Sequence, residues 1–212
     1  AIMNILVHAC CAPCAAYCLE KLVNDGYKPT AYFYNPNIHP VEEYNRRLAE
    51  LERFAKEAGY PLVVEKHARD DSSSKNQPTE GLSCSRLEPV ELGEWRRNDN
   101  PLGKQWFTAI KGLENEPEGG KRCAVCFEMR LEKATIYAKE NGFDAFTTVL
   151  TISPHKNSRI IHDIGQKLGE KHGISFLAED FKKQDGFKKS LELSKKYGFY
   201  RQNYCGCAYS MR

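Results

Sequence analysis

Asn4-Ile-Leu-Val-His-Ala-Cys10-Cys11-Ala-Pro-Cys14, NILVHACCAPC, holds a strand, a turn and a helix start within one short stretch. Ile5 to Val7 is an apolar run suited to a buried strand, predicted over Asn4 to His8. Pro13 suits the first turn of a helix over Ala12 to Asp25, which Gly26 ends. HACCAPC therefore falls on a strand-to-helix turn.

Working outward, the same alternation recurs. We expect a strand at Thr30 to Tyr34 and a helix over Val41 to Ala58, with Tyr44, Leu48, Leu51, Phe54, Ala55 and Ala58 on one face and Gly59 at its end. Further strands are expected at Pro61 to Glu65, Asp144 to Leu150 and Ile174 to Ala178, and further helices at about Val125 to Asn141 and Ser158 to His172. Strands alternating with helices predict a Rossmann-like α/β fold, a mostly parallel sheet with helices on both faces and its site at the carboxyl ends of the strands. The turn carrying Cys10, Cys11 and Cys14 lies where that rule places a ligand.

The polar stretch from about 68 to 121 interrupts this pattern as an inserted segment. A structureless loop of that length is unusual in a compact domain. One or two short helices are expected in it, forming a lid held down by Trp95 and Trp106. After it, Asp185 to Tyr197 reads as an amphipathic helix with Phe187, Leu191 and Leu193 inward, which delivers the chain's last cysteines.

With 212 residues and 41% hydrophobic content the chain can bury one core, and we read it as a single α/β metal-binding domain over 1–212. No apolar run is long enough to cross a bilayer and no signal peptide is evident, so a cytoplasmic protein without membrane attachment is expected. In that reducing compartment thiols serve metals or catalysis rather than structural disulfides.

Seven of the nine cysteines are clustered: Cys10, Cys11 and Cys14; Cys123 and Cys126 in a CxxC; Cys205 and Cys207 in YCGCAY. Such spacings suit an iron–sulfur cluster or zinc. A helix amino terminus after Cys11 favours thiolate, and Gly206 permits a sharp turn. Zinc, a dithiol and an iron–sulfur cluster all use CxxC, while CGC suits either a metal or an easily reduced disulfide. Counting favours a four-cysteine cluster plus a second, incompletely coordinated metal, because the open position is what catalysis requires. Cys18 reads as core, and Cys84 as a bystander.

YNPNIHP (34–40) and SPHKN (153–157) follow strands and should rim the same cleft, offering Asn35, Asn37, His39, His155 and Lys156 for binding or proton transfer. Tyr204 and Tyr209 flank CGC and are candidates for proton donation or base stacking. The formal charge of +3 says little, but the basic residues Lys182, Lys183, Lys188, Lys189, Lys195, Lys196, Arg201 and Arg212 concentrate near the end, opposed only by Asp185 and Glu192, and suit phosphates.

HACCAPC, YNPNIHP, EPEGGKRCAVC, FTTVLTISPHKN and YRQNYCGCAYS, in that order, resemble the cobalamin-independent epoxyqueuosine reductases of the QueH type, from Met3 to the last residues. The stretch from about His67 to Lys111 departs from the shorter members. The resemblance implies a fold related to adenine-nucleotide hydrolases (HUP-like) and reduction of epoxyqueuosine to queuosine at the wobble position of tRNA. It further implies a [4Fe-4S] cluster with an additional mononuclear iron beside it, the tRNA anticodon stem-loop as partner and an unidentified reductant protein. Carried over, Cys10, Cys123 and Cys126 would ligate the cluster with Cys11 or Cys205 as the fourth. The rest of Cys11, Cys14, Cys205 and Cys207 would hold the second iron or form a redox-active pair, so that Cys14, Cys205 and Cys207 act in catalysis. A zinc-stabilised RNA-binding module and a ferredoxin-like electron carrier are the rival classes. Brown colour in anaerobic protein separates iron from zinc.

Overall fold

In the computed structural model, which describes residues 2–65, 100 and 102–211, the strands form one parallel sheet. In chain order they are β1 (Asn4–Ala9), β2 (Lys28–Phe33), β3 (Leu62–Val64), β4 (Ala145–Thr148) and β5 (Ser175–Phe176), arranged β3-β2-β1-β4-β5. The helices among the described residues are α1 (Ala12–Asn24), α2 (Val41–Ala58), α3 (Gly103–Ala109), α4 (Lys121–Glu140), α5 (Ser158–His172) and α6 (Gly186–Lys196). Helix α1 packs on α2 and α6, while α4 packs on α3 and α5, so two helical layers cover the sheet. The strand order reverses between β1 and β4, which makes the crevice at their carboxyl ends the switch point where ligands bind in this fold.

The opening stretch does what its sequence dictates. β1 is central, pairing with β2 and β4, and Ile5, Leu6 and Val7 are fully buried. Cys11 is the extended residue before α1, with Pro13 in the first turn. His8, opposite Thr148 in register, shares its Nδ1 with Thr148 Oγ1 (2.9 Å) and its Nε2 with the Tyr34 carbonyl (3.3 Å). Burial pushes its pKa down to about 3, so a neutral imidazole ties β1 to both neighbours just before the cysteines. Asn157 caps α5, accepting from the Arg159 and Ile160 N–H groups, and left-handed Gly59 and Gly173 end α2 and α5.

Several boundaries differ from the sequence expectations. Helix α4 begins at Lys121, four residues before Val125, so the CxxC lies inside the helix. β4 stops at Thr148, whose Oγ1 accepts from the Leu150 N–H and starts a 3-10 turn over Val149–Ile152. β5 is shorter than Ile174 to Ala178. In α6 the fully buried positions are Gly186, Ser190 and Ser194, with Leu191 and Leu193 only half-buried. Small residues four apart let α6 lie close: a Cβ at Gly186 would fall 1.8 Å from the Phe181 carbonyl oxygen and 2.8 Å from the Tyr17 ring. The described part of the inserted segment contains α3, whose Trp106 is fully buried against His39, Phe107 and Tyr209. Trp95 and Cys84 lie outside the described residues, as does most of the expected lid. Among the described residues no helix is long and apolar enough to cross a membrane.

Candidate metal centre and cleft

The thiols from the three sequence groups meet at the carboxyl edge of the sheet. Cys10, Cys11 and Cys14, at the start of α1, have sulfurs within 4.8 Å of one another, and Cys10 Sγ is 3.8 Å from Cys11 Sγ. Cys10 and Cys14 border a cavity of about 570 Å³ whose lining also includes Ser153, His155, Lys156, Phe187, Arg201 and Cys205. A narrower cavity beside it, about 40 Å³, is lined by Cys123, Cys126, Cys205 and Cys207 together with Trp106, Arg122 and Arg130. Cys205 and Lys156 border both cavities. Cys18 is buried in the core behind the first group, and burial pushes its thiol pKa well up.

The first and last groups each contain one thiol held towards the anion. Hydrogen bonds from the Cys11 and Cys14 thiols hold Cys10 well below the usual range against its burial, while donating to Cys10 pushes Cys11 up to about 12. At the other end of the chain the Cys207 thiol donates to Cys205, which falls to about 5, and Cys207 is correspondingly raised. Ser210 Oγ, 2.9 Å from Cys205 Sγ, and the Cys207 N–H at 3.5 Å support the same sulfur. Cys123 accepts from the Gly119 N–H at 3.2 Å, yet burial dominates and raises both Cys123 and Cys126.

The donor sets can be tested against metals. Thiolates about 2.3 Å from a tetrahedral ion lie about 3.8 Å from one another, the separation of the Cys10 and Cys11 sulfurs. Three such thiols fit a single ion with one position left open. Four thiols around the second cavity match the number that a [4Fe-4S] cluster takes. This grouping differs from the set carried over by resemblance, which joined Cys10 to Cys123 and Cys126. Cys10 lies beside Cys11 and Cys14, and Cys205, an alternative fourth ligand in the carried-over set, borders both cavities.

Buried polar atoms give an independent sign. Among the described residues, Asn37 Oδ1, Trp106 Nε1, Arg122 Nε, Arg130 Nε and Gln202 Oε1 are buried without a hydrogen-bond partner. All belong to residues lining one of the two cavities. Because buried polar groups are nearly always paired, atoms of a bound group are their natural partners.

The other sequence candidates divide. His155 and Lys156 line both cavities, and Asn37 lines the narrower one. Asn35 and His39 line neither. Asn35 bridges, its Nδ2 donating to the Ala9 carbonyl and its Oδ1 accepting from Arg130 Nη2 at 2.7 Å. His39 Nδ1 lies 3.0 Å from the Asn37 carbonyl, and the His39 carbonyl accepts from the Tyr204 hydroxyl. Tyr209 packs by Trp106 and under the Arg122 guanidinium.

Three buried arginines and a glutamine were missed in the sequence. Arg47, on α2, pairs with Glu43 at 2.7 Å and donates to the Tyr204 and Cys205 carbonyls at 3.1 Å each, which holds the CGC turn in place. Gly206 in that turn has φ +102 and passes so close that a Cβ would lie 2.9 Å from Ile38. Arg122 donates to the Leu113, Glu114 and Glu116 carbonyls. Arg130 Nη1 lies 3.9 Å from Cys126 Sγ, and Gln202 Nε2 donates to Cys11 Sγ at 3.0 Å. Arg122, Cys126 and Arg130 are four apart on one helix, so their shared face was readable.

Fold and site together define an α/β protein of Rossmann-like topology with a thiol-lined cleft at its switch point. A solved structure described as the predicted subunit of a tRNA methyltransferase from Methanocaldococcus jannaschii has the same fold, with a TM-score of 0.54 and 13% identity over 92% of this chain and 75% of that one. The model of the family described as "Epoxyqueuosine reductase QueH" matches residues 5–86 and 94–212. The chain belongs to that family. Its relatives include the epoxyqueuosine reductases QueH of Streptococcus pyogenes (39% identical, 99% of this chain and 71% of that protein) and Haemophilus influenzae (37%, 99% and 72%). That of Thermotoga maritima is 33% identical over 98% of this chain and 90% of its own length.

Proposed function

We propose that the chain reduces epoxyqueuosine to queuosine at the wobble position of tRNA, an oxidoreductase step in tRNA modification. The observation that carries this reading is the meeting of six thiols from three parts of a QueH-family chain around two adjoining cavities, with Cys11 beside Cys10 and Cys14. In it, Cys123, Cys126, Cys205 and Cys207 hold a [4Fe-4S] cluster, and Cys10, Cys11 and Cys14 hold a second iron with an open position. When bound, these groups supply single electrons and a Lewis acid.

The reaction consumes two electrons and two protons. Both carbon–oxygen bonds of the epoxide break, an alkene forms and the oxygen leaves as water. The larger cavity, about 570 Å³, is in the range of sites that enclose a small organic group. Lys156 borders both cavities and is half-exposed, so its ammonium can protonate the departing oxygen and recharge from solvent. Lys182 Nζ bonds the Lys156 carbonyl at 3.3 Å and the Ser158 hydroxyl, which holds the SPHKN loop against the cleft. Phe187, with the Arg201 guanidinium 6.0 Å from its ring, offers a stacking face for an extruded base.

The direct test is anaerobic incubation of reduced protein with epoxyqueuosine-containing tRNA, followed by nucleoside mass analysis. Queuosine should appear in proportion to protein iron; iron-loaded protein that leaves the substrate unchanged refutes the reading. For tRNA, the exposed Lys188 and Lys189 directly follow Phe187, which lines the cavity. Reversing both to Glu should weaken tRNA binding roughly tenfold or more and flatten the log–log salt slope by about 2. Unchanged affinity and slope in a fluorescence titration would remove α6 from the interface.

A further inference from the structure

We propose that Trp106, Arg122 and Arg130 donate hydrogen bonds to the sulfur of the group held by Cys123, Cys126, Cys205 and Cys207, and thereby raise its reduction potential. The inference rests on the cluster reading above and concerns residues that no thiol inventory includes.

Three observations converge on these side chains. All are buried: Trp106 is fully enclosed, Arg122 is 2% exposed and Arg130 is 3% exposed. All line the narrow cavity with the four cysteines, and Trp106 packs in one cluster with Cys126 and Cys207. Each keeps one N–H without a partner: Trp106 Nε1, Arg122 Nε and Arg130 Nε.

Their chemistry allows one kind of partner. Indole and guanidinium nitrogens only donate, so each of these buried N–H groups needs an acceptor, and the cavity that all three residues line is where a bound group can supply one. Other donors of the two guanidinium groups are committed elsewhere. Arg122 spends Nη1 on three backbone carbonyls, and Arg130 spends Nη2 on Asn35 Oδ1 and directs Nη1 at Cys126 Sγ. Sulfide and thiolate sulfur accept such bonds, which stabilise the more negative, reduced state, and the two buried cations add to the effect. Spacing on α4 makes the arrangement hold: Arg122 and Arg130 lie one turn before and after Cys126, so one helix face presents a ligand between two donors.

The distinguishing measurement is a potential. Wild type, Trp106→Phe and Arg130→Lys would be purified anaerobically, their iron and acid-labile sulfide quantified, and each titrated redox-potentiometrically with paramagnetic resonance detection. Phenylalanine keeps an aromatic ring and removes the N–H; lysine keeps the cation and removes the Nε proton. With iron and sulfide retained, each variant should show a reduced-to-oxidised ratio about tenfold lower than wild type at the wild-type midpoint, which is about 59 mV for one electron. Variants with full iron and an unshifted midpoint would overturn the inference while leaving the cluster reading intact. Wild-type protein without acid-labile sulfide would overturn both. If Trp106→Phe folds but loses iron, Arg130→Lys carries the same expectation and the same refutation.

Discussion

Cys123→Ser protein, purified anaerobically, is expected to lose the brown colour of its iron–sulfur centre and to reduce epoxyqueuosine at least about a hundredfold more slowly. Changes one shell away from a metal commonly cost 10–100-fold, and a lost ligand should cost more. Cys123 sits three residues into α4, half-buried, with the Gly119 N–H on its sulfur. Serine preserves the size and the hydrogen bond but removes the soft thiolate, so a structural effect stays small while the metal effect is large. Cys18→Ala supplies the control: Cys18 is fully buried outside the thiol group, and its variant should keep iron and colour. Active, colourless Cys123→Ser protein would refute the cluster assignment.

Arg47→Met is expected to destabilise the fold by about 3–5 kcal/mol, the cost of leaving one partner of a buried ion pair alone. Arg47 is 1% exposed, and its loss strands Glu43, itself 7% exposed, with only the Tyr200 hydroxyl at 3.1 Å. The same change frees the Tyr204 and Cys205 carbonyls, which Arg47 alone ties to α2 among the hydrogen bonds described. Adding Glu43→Gln removes the stranded charge, so the double variant should regain much of its urea midpoint. Its iron content should stay low, because the CGC turn remains untied from α2. Equal recovery of stability and iron would show that Arg47 acts only through the ion pair.

Much of the fold was legible because it is encoded over short distances. The bounds of α2 and α5 matched their apolar spacing and terminal glycines, and β1 and α1 followed from Ile5 to Val7 and Pro13. Where expectations slipped, a local competitor had won. Thr148 turned its hydroxyl to the Leu150 N–H and ended β4 early, and α4 began at Lys121 because Gly120 is extended just before it. On α6 the apolar leucines suggested the inward face, yet close approach to α1 selected Gly186, Ser190 and Ser194 instead. The candidate site was legible as a set of thiols and two loops, but Asn35 and His39 brace the first of those loops and line neither cavity.

From the sequence alone came the alternation of strands and helices, the cysteine inventory and its place on a strand-to-helix turn, since periodicity and spacing act among near neighbours along the chain. Which thiols share a cavity was decided only by tertiary structure, as were the buried places of Arg47, Arg122 and Arg130. Arg47 meets Cys205 across 158 residues and Arg130 meets Asn35 across 95. No local pattern records a partner that far away; the sheet order and helix packing bring the two together.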